Sequence, residues 1–247
     1  MFAITDELRA AAKAAGWPAL MLLLRHGESY RNRVKGGNVF LPADGSAAIV
    51  RGVPDHRIAL TDEGVRQAKA TGAPLREAYG DIEVAYESGY LRAEQTRDNV
   101  LAVYSPEELA RIKLRTNHLI HERLAGYVYD MNDDEVKKHF PWFDDHWNTF
   151  GPFYATPPGG QSQETVCNNI YRFIGITRKH RAGKKVLVVT HGGTIRAFRF
   201  CLEKWTPNQY IDNYSVNSPK NCGVTAYVFD PESRRPKLIE YNKVYWT

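Results

Sequence analysis

The chain has little cysteine, no long apolar run and no block of like charge, and each shortage removes a class of protein. Its 3 cysteines in 247 residues are Cys167, Cys201 and Cys222, an odd number, widely spaced, with none in a C-x-x-C pair. Neither a disulfide framework nor a zinc knuckle is expected, and a reducing compartment fits. The longest apolar runs, Leu20 to Leu24 and Val186 to Val189, fall far short of the ~20 residues that cross a bilayer, so no membrane span is expected. Phe2 to Trp17 reads as a short helix. Asp6 and Glu7 argue against a transit peptide and the missing apolar centre against a secretory signal, so a cytoplasmic location is expected. Lys and Arg number 33 against 28 Asp and Glu, a net charge of +5, and no basic run is interleaved with aromatics. Nucleic acid is therefore not an expected partner, whereas a small anionic substrate suits the balance. There is no internal repeat or low-complexity tract, and nothing in the pattern specifies an oligomeric state.

What is present is the composition of a large globular domain, 43% hydrophobic and 25% charged, expected to span residues 1–247. Within it, 1–18 forms an N-terminal helical extension, 33–51 an inserted loop, and 127–160 an irregular cap rich in aromatics, Pro and Gly. The apolar run Ala19 to Leu24 predicts a strand buried on both faces. Thr61 caps a helix with Asp62 and Glu63 in its first turn, running to about Tyr79 before Gly80. A strand over Asp81 to Tyr86, a helix from about Tyr90 to Val103, a capping box at Ser105-Pro106-Glu107-Glu108 and a strand over Ile112 to Arg115 follow. Further on come a helix over about Gln163 to Arg181, a strand over Val186 to Thr190, helices from near Thr194 and Thr206-Pro207, and closing strands over Val224 to Phe229 and Lys237 to Tyr241. Alternation of strands and helices implies an α/β fold with a mainly parallel sheet.

Two of the buried strands end in the same way, Leu22-Leu23-Leu24-Arg25-His26-Gly27 and Val188-Val189-Thr190-His191-Gly192-Gly193. Ligands of open α/β sheets bind beyond the carboxyl ends of the strands, where both histidines fall. Glycine beside each lets a ligand approach the backbone, and the helix after Gly193 offers free N–H groups to an anion. The segment Ser88 to Thr96 brings Arg92 near the same edge. Two arginines repel a metal ion and match phosphate oxygens bidentately, so an anion site is favoured over a zinc site built from His26, His191 and Glu122. Taken alone, Glu122 is one of many acidic residues and reads better as a surface ion-pair partner. His121 rivals it as a proton donor. His56, His118, His139, His146 and His180 have no strand-end context. Trp142, Phe143, Trp147 and Phe150 recur at helical spacing, as a core or pocket wall does.

These residues together resemble the histidine phosphatase, or phosphoglycerate mutase-like, superfamily: Arg25-His26-Gly27-Glu28, Ser88 to Thr96 against S-x-x-x-R-A-x-Q-T, Glu122 in mid-chain and His191-Gly192-Gly193. Asn32 matches an asparagine shortly after the first motif, and Asp55 to Gly64 resembles a D-x-x-L-T-x-x-G stretch. The likeness runs from Leu20 to about Arg196. It implies a three-layer α/β/α fold and a phosphohistidine formed on His26. It further implies Arg25, Arg92 and His191 around the phosphate with Asn32 and Gly192 as neutral donors, Glu122 as acid and then base, and no metal or cofactor. A neutral imidazole is plentiful at pH 7 and needs no metal-activated water.

Departures from the family pattern bear on the reaction. Glu122 is followed by Arg123-Leu124-Ala125-Gly126 rather than R-H-Y-G, and His191 by Gly192-Gly193 rather than G-N, both closer to the family's phosphatases than to its glycolytic mutases. Hydrolysis of a phosphomonoester is the first expectation, a phosphoglycerate-type mutase the second, and a non-catalytic phospho-ligand binder the third. The segment 33–51 is longer than the family's usual connection. It is read either as a substrate lid, with Arg33, Lys35, Phe40 and Arg57 as candidates and Gly36-Gly37 as hinge, or as mere surface loop.

Overall fold

The computed structural model describes residues 4–37, 39–214, 216 and 218–247. In chain order the elements are α1 (Asp6–Ala14), β1 (Leu20–Arg25), α2 (Tyr30–Lys35), α3 (Asp62–Tyr79), β2 (Val84–Glu87), α4 (Leu91–Leu101), α5 (Pro106–Leu109) and β3 (Lys113–Thr116). Then follow α6 (Asp133–His139), α7 (Phe143–Tyr154), α8 (Gln163–His180), β4 (Lys185–Thr190), α9 (Gly192–Glu203), α10 (Pro207–Tyr214), β5 (Val224–Asp230) and β6 (Arg235–Lys243). One sheet of order β3-β2-β4-β1-β5-β6 holds all six strands. Its three pairings among β1 to β4 are parallel, while β5 runs antiparallel to both β1 and β6.

Alternate side chains of each central strand feed two cores. Leu20, Leu22, Leu24, Ala85, Leu187 and Val189 point to one face and pack under α3 and α4. Met21, Leu23, Tyr86, Val186 and Val188 point to the other and meet Phe173 of α8 and Phe198 of α9. The period of two and the helices on both sides make three layers, α/β/α, as expected for strands read as continuous apolar runs. Among the described residues no helix is long and apolar enough to cross a membrane.

Local chemistry explains the boundaries. Thr61 accepts from the Gly64 N–H to start α3, and Gly80 ends it at φ 71. Ser105 and Glu108 close the expected capping box of α5. The N-terminal helix is shorter than the Phe2 to Trp17 expected, with Thr5 capping it, and Phe2 lies outside the described residues. The helix expected from Thr194 begins at Gly192.

The segment 33–51 has more structure than a loop. A capping box between Ser29 and Asn32 nucleates α2, which takes up residues 33–35 and ends on Gly36 at φ 52. Beyond it, Leu41, Ala47 and Val50 are buried with Ile58 in a small core of their own. Val39 is exposed while Phe40 packs with Phe143 of the cap, so Val39-Phe40-Leu41 is no single apolar flap.

Candidate active site

The pairing register of β1 with β4 aligns Arg25 with Thr190, so His26 and His191 leave the sheet side by side. Their ring centroids are 5.1 Å apart, edge to face, and the His26 N–H donates to the Thr190 carbonyl at 2.9 Å. The turn after β1 needs glycine for space: a β-carbon on Gly27 would lie 2.4 Å from the Gly64 carbonyl oxygen. A β-carbon on Gly64 would in turn lie 2.0 Å from the Glu28 carbonyl oxygen, so the paired glycines seat the turn after the first histidine on the start of α3.

His26 is 2% exposed. Its Nδ1 lies 2.7 Å from the Gly27 carbonyl oxygen, which can only accept. Nδ1 therefore carries the proton and Nε2 the lone pair. Burial first, then Arg92 and Arg25, hold the His26 pKa well below its ordinary value, so the ring is a neutral nucleophile in a cationic setting. His191, fully buried, is lowered by burial, Arg92 and His26. The Ser88 hydroxyl sits 2.9 Å from its Nε2, and its Nδ1 has no hydrogen-bond partner among the described residues.

Arg25, Asn32, Arg92, Glu122 and Gly192 line one cavity of about 850 Å³ with His26. Arg25 Nη1 donates to the Pro219 carbonyl at 2.6 Å, while its buried Nε is unpartnered among the described residues. Arg92 Nη1 donates to the Asp55 carbonyl at 2.6 Å and to Asp55 Oδ1 at 2.9 Å, which fixes its guanidinium over Tyr90, 4.8 Å from the ring centroid. Asn32 Oδ1 accepts from the Ser29 N–H, the Ser29 hydroxyl and Asn221 Nδ2, turning the amide NH₂ into the part that a ligand can use. The N-terminus of α9, with His191 as an N-cap that makes no side-chain cap bond, presents Gly192 and Gly193 to the cavity.

Glu122 reaches this edge because two threonines hold the irregular segment that carries it. Thr190 Oγ1 donates to the Ile120 carbonyl and Thr194 Oγ1 to the His121 carbonyl, both at 2.7 Å. Glu122 Oε1 accepts from the Arg123 N–H at 3.0 Å. His121 stacks on Tyr90 and does not line the cavity.

Of the four lid candidates, Lys35 and Phe40 line the cavity. Arg33 lies elsewhere, ion-paired with Glu28 at 2.8 Å, and Arg57 is exposed in the turn at 55–57; neither lines it. Arg31, Arg123 and Arg196, which no motif marks, also line the cavity, and Asn221 braces the turn at His26. Asn221 Nδ2 donates to the His26 carbonyl at 2.9 Å, and the Asn221 carbonyl accepts from the Trp246 indole at 2.8 Å. Arg31 had a legible signal: on a helix it shares a face with Lys35, one turn on, and Arg33 faces away. Of the four aromatics at helical spacing, Phe143 and Trp147 form a cavity wall with Tyr129, while Trp142 and Phe150 are exposed and lie outside it.

A family model described as histidine phosphatase superfamily (branch 1) matches residues 21–242. The chain is 32% identical over 197 residues, 78% of its length and 84% of the relative's, to a 2,3-bisphosphoglycerate-dependent phosphoglycerate mutase of Nitrobacter hamburgensis. Among solved structures, it superposes with a TM-score of 0.66 at 18% identity on a mycobacterial glucosyl-3-phosphoglycerate phosphatase in complex with inorganic phosphate, covering 93% of this chain and 99% of that one. A putative α-ribazole-5'-P phosphatase from Escherichia coli gives 0.69 at 17%, covering 92% and 97%. The strand-end histidines, the arginines beside them and the match across nearly the whole chain have one common account: this protein belongs to branch 1 of the histidine phosphatase superfamily.

Proposed function

We propose that the chain is a phosphomonoesterase that hydrolyses its substrate through a phosphohistidine on His26. The observation that carries this reading is the buried His26 ring with Nδ1 engaged by the Gly27 carbonyl. That contact leaves Nε2 unprotonated where Arg25 and Arg92 line the same cavity. Nε2 attacks phosphorus in line, the ester P–O bond breaks, and the leaving oxygen takes a proton from Glu122. A water then gives its proton to the Glu122 carboxylate and attacks phosphorus. The N–P bond breaks, its electron pair returns to Nε2, and inorganic phosphate departs. Arg25, Arg92, His191, the Asn32 amide and the Gly192 N–H hold the phosphoryl oxygens. Donors fixed in advance, where charge develops, supply most of the protein's contribution to phosphoryl transfer.

The likeness to phosphoglycerate mutases supports a second reading, in which the phosphoryl group returns to substrate rather than to water. Leu124-Ala125 after Arg123 and the double glycine after His191 favour hydrolysis. A phosphometabolite panel scored for released phosphate, run beside 3-phosphoglycerate with 2,3-bisphosphoglycerate, separates the two. Free phosphate from several esters and no interconversion of phosphoglycerates supports the phosphatase; interconversion without net release supports the mutase.

A further inference from the structure

The cavity holds more positive charge than one phosphate needs. Six cationic side chains line it against three carboxylates, Asp55, Glu122 and Asp144, and a phosphomonoester dianion offsets only part of that excess. The surplus is grouped. Arg25 and Arg92 are the cations that act most on His26. Around Lys35 the cations that act most are Arg31 and, after the opposing carboxylate of Glu122, Arg123.

The second group is built to receive a ligand. Arg31 is stacked 3.8 Å over the Tyr129 ring and its Nη2 donates to the Tyr129 carbonyl, which fixes the guanidinium. Its buried Nη1 has no hydrogen-bond partner among the described residues, and neither has Nη1 of Arg123. Arg123 in turn lies 5.5 Å over the Trp147 ring. Lys35, one helical turn from Arg31 on α2, forms no ion pair among the described residues, although it lines the same cavity. Buried guanidinium N–H groups left unpaired are costly, and an incoming anion repays that cost.

We infer that Arg31, Lys35 and Arg123 form a second anion subsite, so that the substrate is a phosphomonoester whose leaving group carries a further carboxylate or phosphate. This inference rests on the reading of the cavity as a phosphomonoesterase site. Trp147 and Phe40 give the same cavity an apolar wall, which suits a small carbon skeleton. Arg31 and Lys35 determine specificity and touch no reacting atom.

The test is binding without turnover, by calorimetry on full-length protein carrying His26→Ala. Two matched pairs are titrated, 3-phosphoglycerate against glycerol 3-phosphate and fructose 1,6-bisphosphate against fructose 6-phosphate, which distinguish a carboxylate from a phosphate as the second group. At least one pair is expected to show tenfold or greater preference for the ligand with two anionic groups. Lys35→Met and the double change Arg31→Met/Lys35→Met should carry that ratio stepwise toward one. Equal affinities within both pairs, or a ratio that survives the double change, would overturn the subsite. Because the ratio is read without chemistry, a parent enzyme that releases no phosphate would sink the phosphatase reading and leave this result standing.

Discussion

Glu122 and Gly193 are so close that a β-carbon on residue 193 would lie 2.8 Å from Glu122 Oε1. The carboxyl group occupies the room left by the missing side chain at the N-terminus of α9. Gly193→Ala is therefore a way to move the proposed acid while leaving it in the protein. It should lower kcat/KM on an alkyl phosphate by about tenfold or more and scarcely affect p-nitrophenyl phosphate, whose leaving group needs little proton transfer. Glu122→Gln should show the same asymmetry with a larger loss, about 100-fold or more on the alkyl ester. Equal losses on both substrates would remove Glu122 from the acid role.

Asn221 predicts the opposite pattern. Its amide donates to the His26 carbonyl and to Asn32 Oδ1, so it positions the nucleophile's turn and an oxygen-binding amide, and acts on no leaving group. Asn221→Ala should lower kcat for alkyl and aryl phosphates by the same factor. It should also cost about 1–3 kcal/mol of stability in a denaturant titration, because the His26 carbonyl and Asn32 Oδ1 each lose a donor. A loss confined to the alkyl ester would refute the positioning role.

The buried histidines make stability depend on pH in a defined direction. His26 and His191 have folded-state pKa values well below the ordinary 6.5. Below pH 6.5 the unfolded chain takes up protons at these positions and the folded protein does not, so stability falls as pH falls through and below 6.5. The limiting slope is about 1.4 kcal/mol per pH unit for each histidine. Denaturant titrations between pH 7.5 and 5 should show a shallower decline for His26→Gln than for the parent. Identical slopes would mean that His26 is not held neutral by its surroundings.

Chelation should leave the rate unchanged. The positive cavity suits an anion, and among the described residues no group of three or more His, Cys, Asp or Glu side chains is placed to hold a metal ion. EDTA treatment followed by a phosphate-release assay checks this. Loss of activity that added magnesium or zinc restores would contradict it.

The fold was legible where two periodicities agreed with their punctuation. Leu22-Leu23-Leu24 before Arg25 and Val188-Val189 before Thr190 gave strands, and glycine after each histidine marked where a ligand meets the strand ends. Thr61 and Gly80 bounded α3 because caps are local chemistry. Contacts between distant residues were not legible. Nothing in the sequence ties Asp55 to Arg92 or Asn221 to His26, since each pairing depends on how a turn is carried by a helix or strand elsewhere. Read as loop, 33–35 offers Arg33 and Lys35 alike, whereas α2 turns Lys35, with Arg31, to the cavity and leaves Arg33 on Glu28.

The covalent phosphohistidine on His26 is the centre of the proposed reaction. Glu122→Gln protein, mixed with p-nitrophenyl phosphate and quenched in alkali within milliseconds to seconds, should yield by peptide mass spectrometry one phosphorylated histidine, in the peptide holding His26. The phosphate should be stable in base and lost in acid, and absent from His26→Ala protein, which should also fail to release phosphate. A His26→Ala enzyme that turns over at the parent's rate, or a phosphate trapped on another residue, would contradict the mechanism.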